Sequence, residues 1–185
     1  DDLKALRHAA AEQRDFDVVL RRELPAAFRE WAVAQRERAH AQFRAMLVAP
    51  RTGALFAALA WLPDVRRSTA RAYHSEARAL VTQRAVAALR PKSSVDELHE
   101  LRRAVRRLRY VGEWLGLATS EAKALQDELG ALNDAAVALE LAVVCPHVDE
   151  LREWREQLAR RVRLHSEAAR DTCKRAMLPR RRHKP

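Results

Sequence analysis

Helix breakers are scarce in this chain and widely spaced, and that spacing constrains the fold more than any single motif does. With 4 glycines and 7 prolines in 185 residues, the interruptions reduce to Pro25, Pro50 to Gly53, Pro63-Asp64, Pro91 to Ser94, Thr119-Ser120, Pro146 and Pro179. Proline cannot sit inside a helix without removing a backbone donor and colliding with the preceding turn, so each of these marks an end. The intervals predict helices at about 2–23, 26–48, 52–61, 64–90, 95–116, 120–143 and 147–178. No segment alternates at period two, and an all-α fold is expected. Hydrophobic residues make up 48% of the chain, enough for a packed core and too many for a disordered polymer.

Charge narrows the choice of partner. Lys and Arg total 35 against 25 Asp and Glu, a formal net charge of +10, so an anionic partner is expected. The uncharged run from Gly53 to Pro63 has 11 residues. A spanning helix needs about 20, and no membrane partner is expected. The start at Asp1-Asp2-Leu3 shows no basic region followed by an apolar run, so no secretory signal is expected. Cys145 and Cys173 stand 28 residues apart with no Cys-x-x-Cys spacing. Neither a zinc site nor a disulfide framework is indicated, and a cytoplasmic location is expected.

The chain also repeats itself. Leu6 to Leu20 aligns without gaps on Leu125 to Leu139, an offset of 119 that places Arg14-Asp15 on Asn133-Asp134. Arg29-Glu30-Trp31 falls on Arg152-Glu153-Trp154 at 123, and Arg44 to Leu47 on Arg175 to Leu178 at 131. The order is kept while the spacing grows, which points to a duplicated helical unit. The expected division is a remainder of the first repeat at 1–63, a second repeat at 64–178 and a basic tail at 179–185.

Residues 96 to 115, DELHELRRAVRRLRYVGEWL, carry the sharpest chemical signal. Asp96 is a candidate N-cap, and Glu97 and Glu100 suit the first turn, where the helix dipole favours negative charge. At about 100° per residue, Leu98, Leu101, Ala104, Val105, Leu108, Val111 and Leu115 form one stripe facing a core. Arg102, Arg103, Arg106, Arg107, Arg109 and Tyr110 all fall within about 80° of His99 on the opposite face. Solvated helix faces usually mix signs so that acid meets base one turn away, as Arg152, Glu153, Arg155 and Glu156 do here. Between Glu100 and Glu113 there is no acid, so these cations are expected to need an external anion. Arginine rather than lysine at all five positions favours phosphate, because the planar guanidinium fork matches pairs of phosphate oxygens. His99 can donate to such an anion as imidazolium or as a neutral ring N–H, and Tyr110 through its hydroxyl.

The pattern His99-x-x-Arg102-Arg103-x-x-Arg106-Arg107-Leu108-Arg109-Tyr110, followed by Leu125-x(3)-Leu129-Gly130-x-Leu132-Asn133-Asp134, resembles the second half of the CHAD family, the conserved histidine α-helical domain. Arg14-Asp15-Phe16-Asp17-Val18 is similar to that family's first-half counterpart of Asn133-Asp134. The resemblance implies two helical bundles related by a pseudo-twofold, whose basic faces line a channel or groove that binds inorganic polyphosphate without catalysis. It implies a cytoplasmic protein associated with polyphosphate granules. It also implies that Asp15 and Asp134 accept from arginines and hold their forks in position. Arg14, Arg36 and Arg44, with Arg170 and Lys174 on the repeat partner, are expected to add cations to the walls. Carried backwards at an offset of 119, the partner of His99 would lie about 20 residues before Asp1, so the first bundle is expected to be incomplete in this chain.

Other functions find less support. No Gly-x-x-x-x-Gly-Lys-[Ser/Thr] loop, His-Glu-x-x-His or Gly-x-Ser-x-Gly is present, and the 7 histidines lack ligand spacing, so no catalytic residue, metal or cofactor is expected. Backbone-directed nucleic-acid binding is the stronger rival for a chain of charge +10. Aromatics are only 5%, and residues 99 to 110 contain no Asn or Gln to read bases, so stacking and groove readout are both poorly served. A scaffold docking an acidic protein is the third reading.

Overall fold

The structure, a computed structural model, describes residues 2–90, 93–147 and 149–177. Among them are α1 (Asp2–Leu20), α2 (Ala26–Leu47), α3 (Pro50–Ala60), α4 (Arg67–Ala88), α5 (Val95–Leu115), α6 (Ser120–Val144) and α7 (Arg152–Met177), with no strand. The fold is all-α. The predicted basic tail at 179–185 lies outside the described residues.

Two helices start later than the breaker spacing predicts. α4 begins at Arg67 rather than near 64, after an extended stretch from Leu62 to Arg66. Leu62 precedes a proline and is biased away from helix, and every residue from 61 to 69 is exposed, so no buried contact holds an earlier turn. α7 begins at Arg152 rather than 147. The Leu151 N–H donates to the His147 carbonyl at 3.2 Å in a separate turn, which delivers the wholly buried Leu151 side chain to a core.

The chain divides into two compact units, 1–64 with 136–159 and 65–135 with 160–185. In the first, the core joins Phe16 and Val19 of α1, Phe28, Ala32 and Ala39 of α2, Ala138 and Ala142 of α6, and Leu158 of α7. Phe28 is fully buried, its ring centroid 5.4 Å from Trp31 and 4.6 Å from Trp154. Those two tryptophans are the residues that the internal repeat superposes, and aromatic pairs of this kind add about 0.5–1.5 kcal/mol each. Asp17 of α1 and Arg36 of α2 meet at 2.5 Å across the turn at Pro25.

The second unit positions the cationic helix. Its core joins Ala85 and Ala88 of α4, Leu98, Leu101 and Val105 of α5, Leu125, Leu129 and Leu132 of α6, and Ala169 and Cys173 of α7. Burying Leu98 and Leu101 contributes about 1.5–3 kcal/mol each and fixes which face of α5 turns outward. The N-cap of α5 is Ser94, not Asp96: the Ser94 Oγ accepts from the Glu97 N–H at 3.2 Å while Glu97 accepts from the Ser94 N–H at 2.8 Å. That capping box satisfies two end donors at once and leaves Asp96 as a first-turn acid. Gly116 ends the helix in the left-handed region at φ 72°, with Leu117 N–H bonded to the Gly112 carbonyl at 2.8 Å. Gly112 is buried, and a Cβ there would stand 2.9 Å from the Thr119 methyl. Both thiols are free and buried, one in each core, and burial pushes the Cys173 thiol up.

Candidate anion-binding site

The outward face of α5 brings the predicted cluster together along one helix. Arg103, Arg107 and Tyr110 are exposed, whereas His99, Arg102, Arg106 and Arg109 are half-buried along the edges of the face. Beneath them Leu98, Leu101, Ala104, Val105 and Leu115 are buried as the periodicity predicts, and Leu108 and Val111 are partly so.

The face is not free of carboxylates, which corrects the expectation from the sequence. Glu100 accepts a hydrogen bond from Arg103 and lies 3.9 Å from Arg84 Nη2 of α4. Glu113 pairs with Arg109 Nη1 at 3.3 Å. Neither acid lies within the arginine run, but long side chains reach one turn, so acids at its two borders neutralise the cations three and four residues away. The Glu100–Arg103 pair is exposed, and such pairs are worth about 0–1 kcal/mol, so it lowers the local charge without locking the geometry; Arg109 is more enclosed, its side chain 19% exposed.

The remaining cations differ from one another. Arg102 is engaged by a neighbour. His99, Arg106 and Arg107 carry no ion pair among the described residues. Arg107 is nevertheless held in place: its Cζ lies 4.0 Å from the ring centroid of Tyr73 on α4. Arg109 Cζ lies 4.8 Å from the Tyr110 ring, and its buried Nε has no acceptor among the described residues.

Elsewhere in the second unit, Arg170 spends its donors on structure. Its Nε bonds Ser93 Oγ at 3.1 Å and its Nη2 bonds the Ser93 carbonyl at 3.0 Å, which ties α7 to the turn between α4 and α5. Lys174 pairs with Asp171 at 3.3 Å. Asp134 is half-buried and engaged. In the first unit, Asp15 is likewise engaged, Arg36 is paired with Asp17, and Arg14 and Arg44 are exposed with no ion pair among the described residues.

Three contacts on α4 were absent from the sequence reading: Tyr73 beneath Arg107, Arg84 beside Glu100, and Arg67 Nη2 donating to the Leu115 carbonyl at 3.4 Å. They set α4 and α5 antiparallel. The signal was available in outline, since Tyr73 and Arg107 lie 18 and 16 residues to either side of Pro91 in the sequence. Only the packing decides which side chains at that register share a face.

The arrangement is one of donors. Among the described residues no group of three or more His, Cys, Asp or Glu side chains converges to hold a metal ion, and no single helix is long and apolar enough to cross a membrane. The family comparison bears on the whole of this face: the model of the CHAD domain matches residues 1–143, a span that includes all of α5. The chain belongs to the CHAD family. A crystal structure of the CHAD domain from the plant Ricinus communis matches with a TM-score of 0.61 at 24% sequence identity. The match covers 97% of this CHAD chain and 67% of the plant one, and shows the same fold. None of the curated proteins matches the chain.

Proposed function

We propose that this CHAD protein binds inorganic polyphosphate without transforming it, with the Arg/His face of α5 as one wall of a basic groove. The observation that carries the reading is the set His99, Arg106 and Arg107, three donors on one face with no carboxylate partner among the described residues. A polymer with about one negative charge per phosphate meets such a row by exchanging its counterions for guanidinium groups, and each fork engages a pair of oxygens. Membership of a family associated with polyphosphate supports the same reading. Arg102, Arg103 and Arg109 add charge when their partners are outcompeted by phosphate.

The reading is of a binder: the donors gathered on α5 are guanidinium groups, which hold phosphate oxygens by charge and forked hydrogen bonds. It places the protein in the cytoplasm with polyphosphate granules, which fractionation tests directly. The deciding experiment is a competition titration of labelled long-chain polyphosphate against duplex DNA, RNA and an acidic polypeptide at fixed salt. Displacement by unlabelled polyphosphate at far lower concentration than by the others supports the proposal. Equal or better displacement by nucleic acid or polypeptide overturns it, and release of orthophosphate over hours overturns the non-catalytic part.

A further inference from the structure

Resting on the polyphosphate reading, we infer that Arg107 is a preorganised phosphate subsite and that Tyr73 of α4 is the residue that positions it. The arginines of α5 are restrained in two chemically different ways. Arg103 and Arg109 are restrained by carboxylates, which occupy guanidinium N–H groups and cancel the charge, even though Arg109 also lies over the Tyr110 ring. Arg107 is restrained by the face of an aromatic ring, 4.0 Å from Cζ to centroid. An aromatic ring neutralises no charge and offers no carboxylate oxygen, so a guanidinium held over it keeps its full charge for an anion. The attraction comes from the ring quadrupole and needs no hydrogen bond. Tyr73 is 38% exposed and Arg107 is exposed, so the pair borders solvent where a polymer can reach the edge of the fork.

Restraint matters because a free arginine loses rotamer entropy when it grips phosphate, and a stacked one has already lost part of it. Tyr73 therefore contributes to binding through Arg107 and not through a contact of its own. The ring is the operative part; the phenolic hydroxyl is not.

A double-mutant cycle on the intact chain tests this with long-chain inorganic polyphosphate as the probe. Y73L weakens binding about 2- to 5-fold, the range expected for one exposed cation–π contact. Y73F, which keeps the ring, restores the affinity. R107Q weakens binding and flattens the dependence of log K on log salt by about 0.7. In the R107Q background, Y73L has no further effect, because the group it positions is gone. Additive losses in the double variant would show that Tyr73 acts independently of Arg107, and failure of Y73F to restore affinity would assign the effect to the hydroxyl; either result overturns the inference while leaving polyphosphate binding intact. Absence of binding by the unmodified chain overturns the proposed function, and this inference with it.

Discussion

Replacing Glu100 by glutamine should strengthen polyphosphate binding, a result that damage to the fold cannot imitate. Glu100 is the acid that partners Arg103 and lies 3.9 Å from Arg84, and its side chain is 36% exposed. Removing its charge adds one net positive unit to the outer side of α5 and frees a guanidinium. The cost to stability is small, since exposed ion pairs contribute about 0–1 kcal/mol. For a phosphate at about 8 Å, Coulomb attraction at an effective dielectric of about 20–80 comes to about 0.2–1 kcal/mol after screening at 0.1 M salt. That corresponds to about 1.5- to 5-fold tighter binding. The slope of log K against log salt should steepen by about 0.7, one further counterion-displacing contact on a flexible strand. Isothermal titration of the unmodified chain and Glu100→Gln with long-chain polyphosphate at several salt concentrations measures both quantities. Glu30→Gln, an exposed acid on α2, makes the same change in net charge elsewhere and should give a smaller gain. Unchanged or weaker binding by a folded Glu100→Gln variant, or an equal gain from Glu30→Gln, would refute the assignment of the site to this face.

Three further outcomes follow from named contacts. Arg102→Glu with Arg106→Glu should abolish polyphosphate binding while the far-ultraviolet dichroism stays helical, because both positions lie on the outer side of a helix whose buried stripe is untouched. Ser94→Ala should lower stability by about 1 kcal/mol through loss of the capping box, read as a fall in Tm with little change in binding. For Cys173, burial raises the thiol above its ordinary value, so the folded state keeps the proton after the unfolded chain has released it. Stability should therefore fall as pH rises beyond about 8.5, the usual thiol range, and Cys173→Ala should flatten that fall in denaturant titrations between pH 8 and 10.

Much of the fold was legible because helix breakers and the 3.6-residue period are local properties. α2, α3, α5 and α6 begin and end within two residues of the positions that Pro25, Pro50, Ser94, Thr119 and Pro146 predict. The departures occur where local signals compete with packing: a proline at 63 that starts nothing because nothing nearby is buried, and a turn at 147–151 shaped by the need to bury Leu151. At the site, the sequence placed the cations of α5 on one face, since residues three, four and seven apart must share it. Their pairing was less accessible. Arg170 reads as a wall cation in the sequence, yet in the structure it is committed to the Ser93 turn, because that depends on where α7 lies against the end of α4.

What the sequence determined alone was the all-α class, the outward row of arginines and the family, each carried by spacing along one helix or by a motif. The pairs of Arg103 with Glu100 and Arg109 with Glu113 are local too, three and four residues apart on α5, whereas the tertiary structure decided what α4 brings to that face: Tyr73 against Arg107 and Arg84 beside Glu100. The physical reason is one of range. Helical periodicity acts over a few residues, whereas the environment of a guanidinium depends on whichever side chain a neighbouring helix brings within about 4 Å, and only packing sets that.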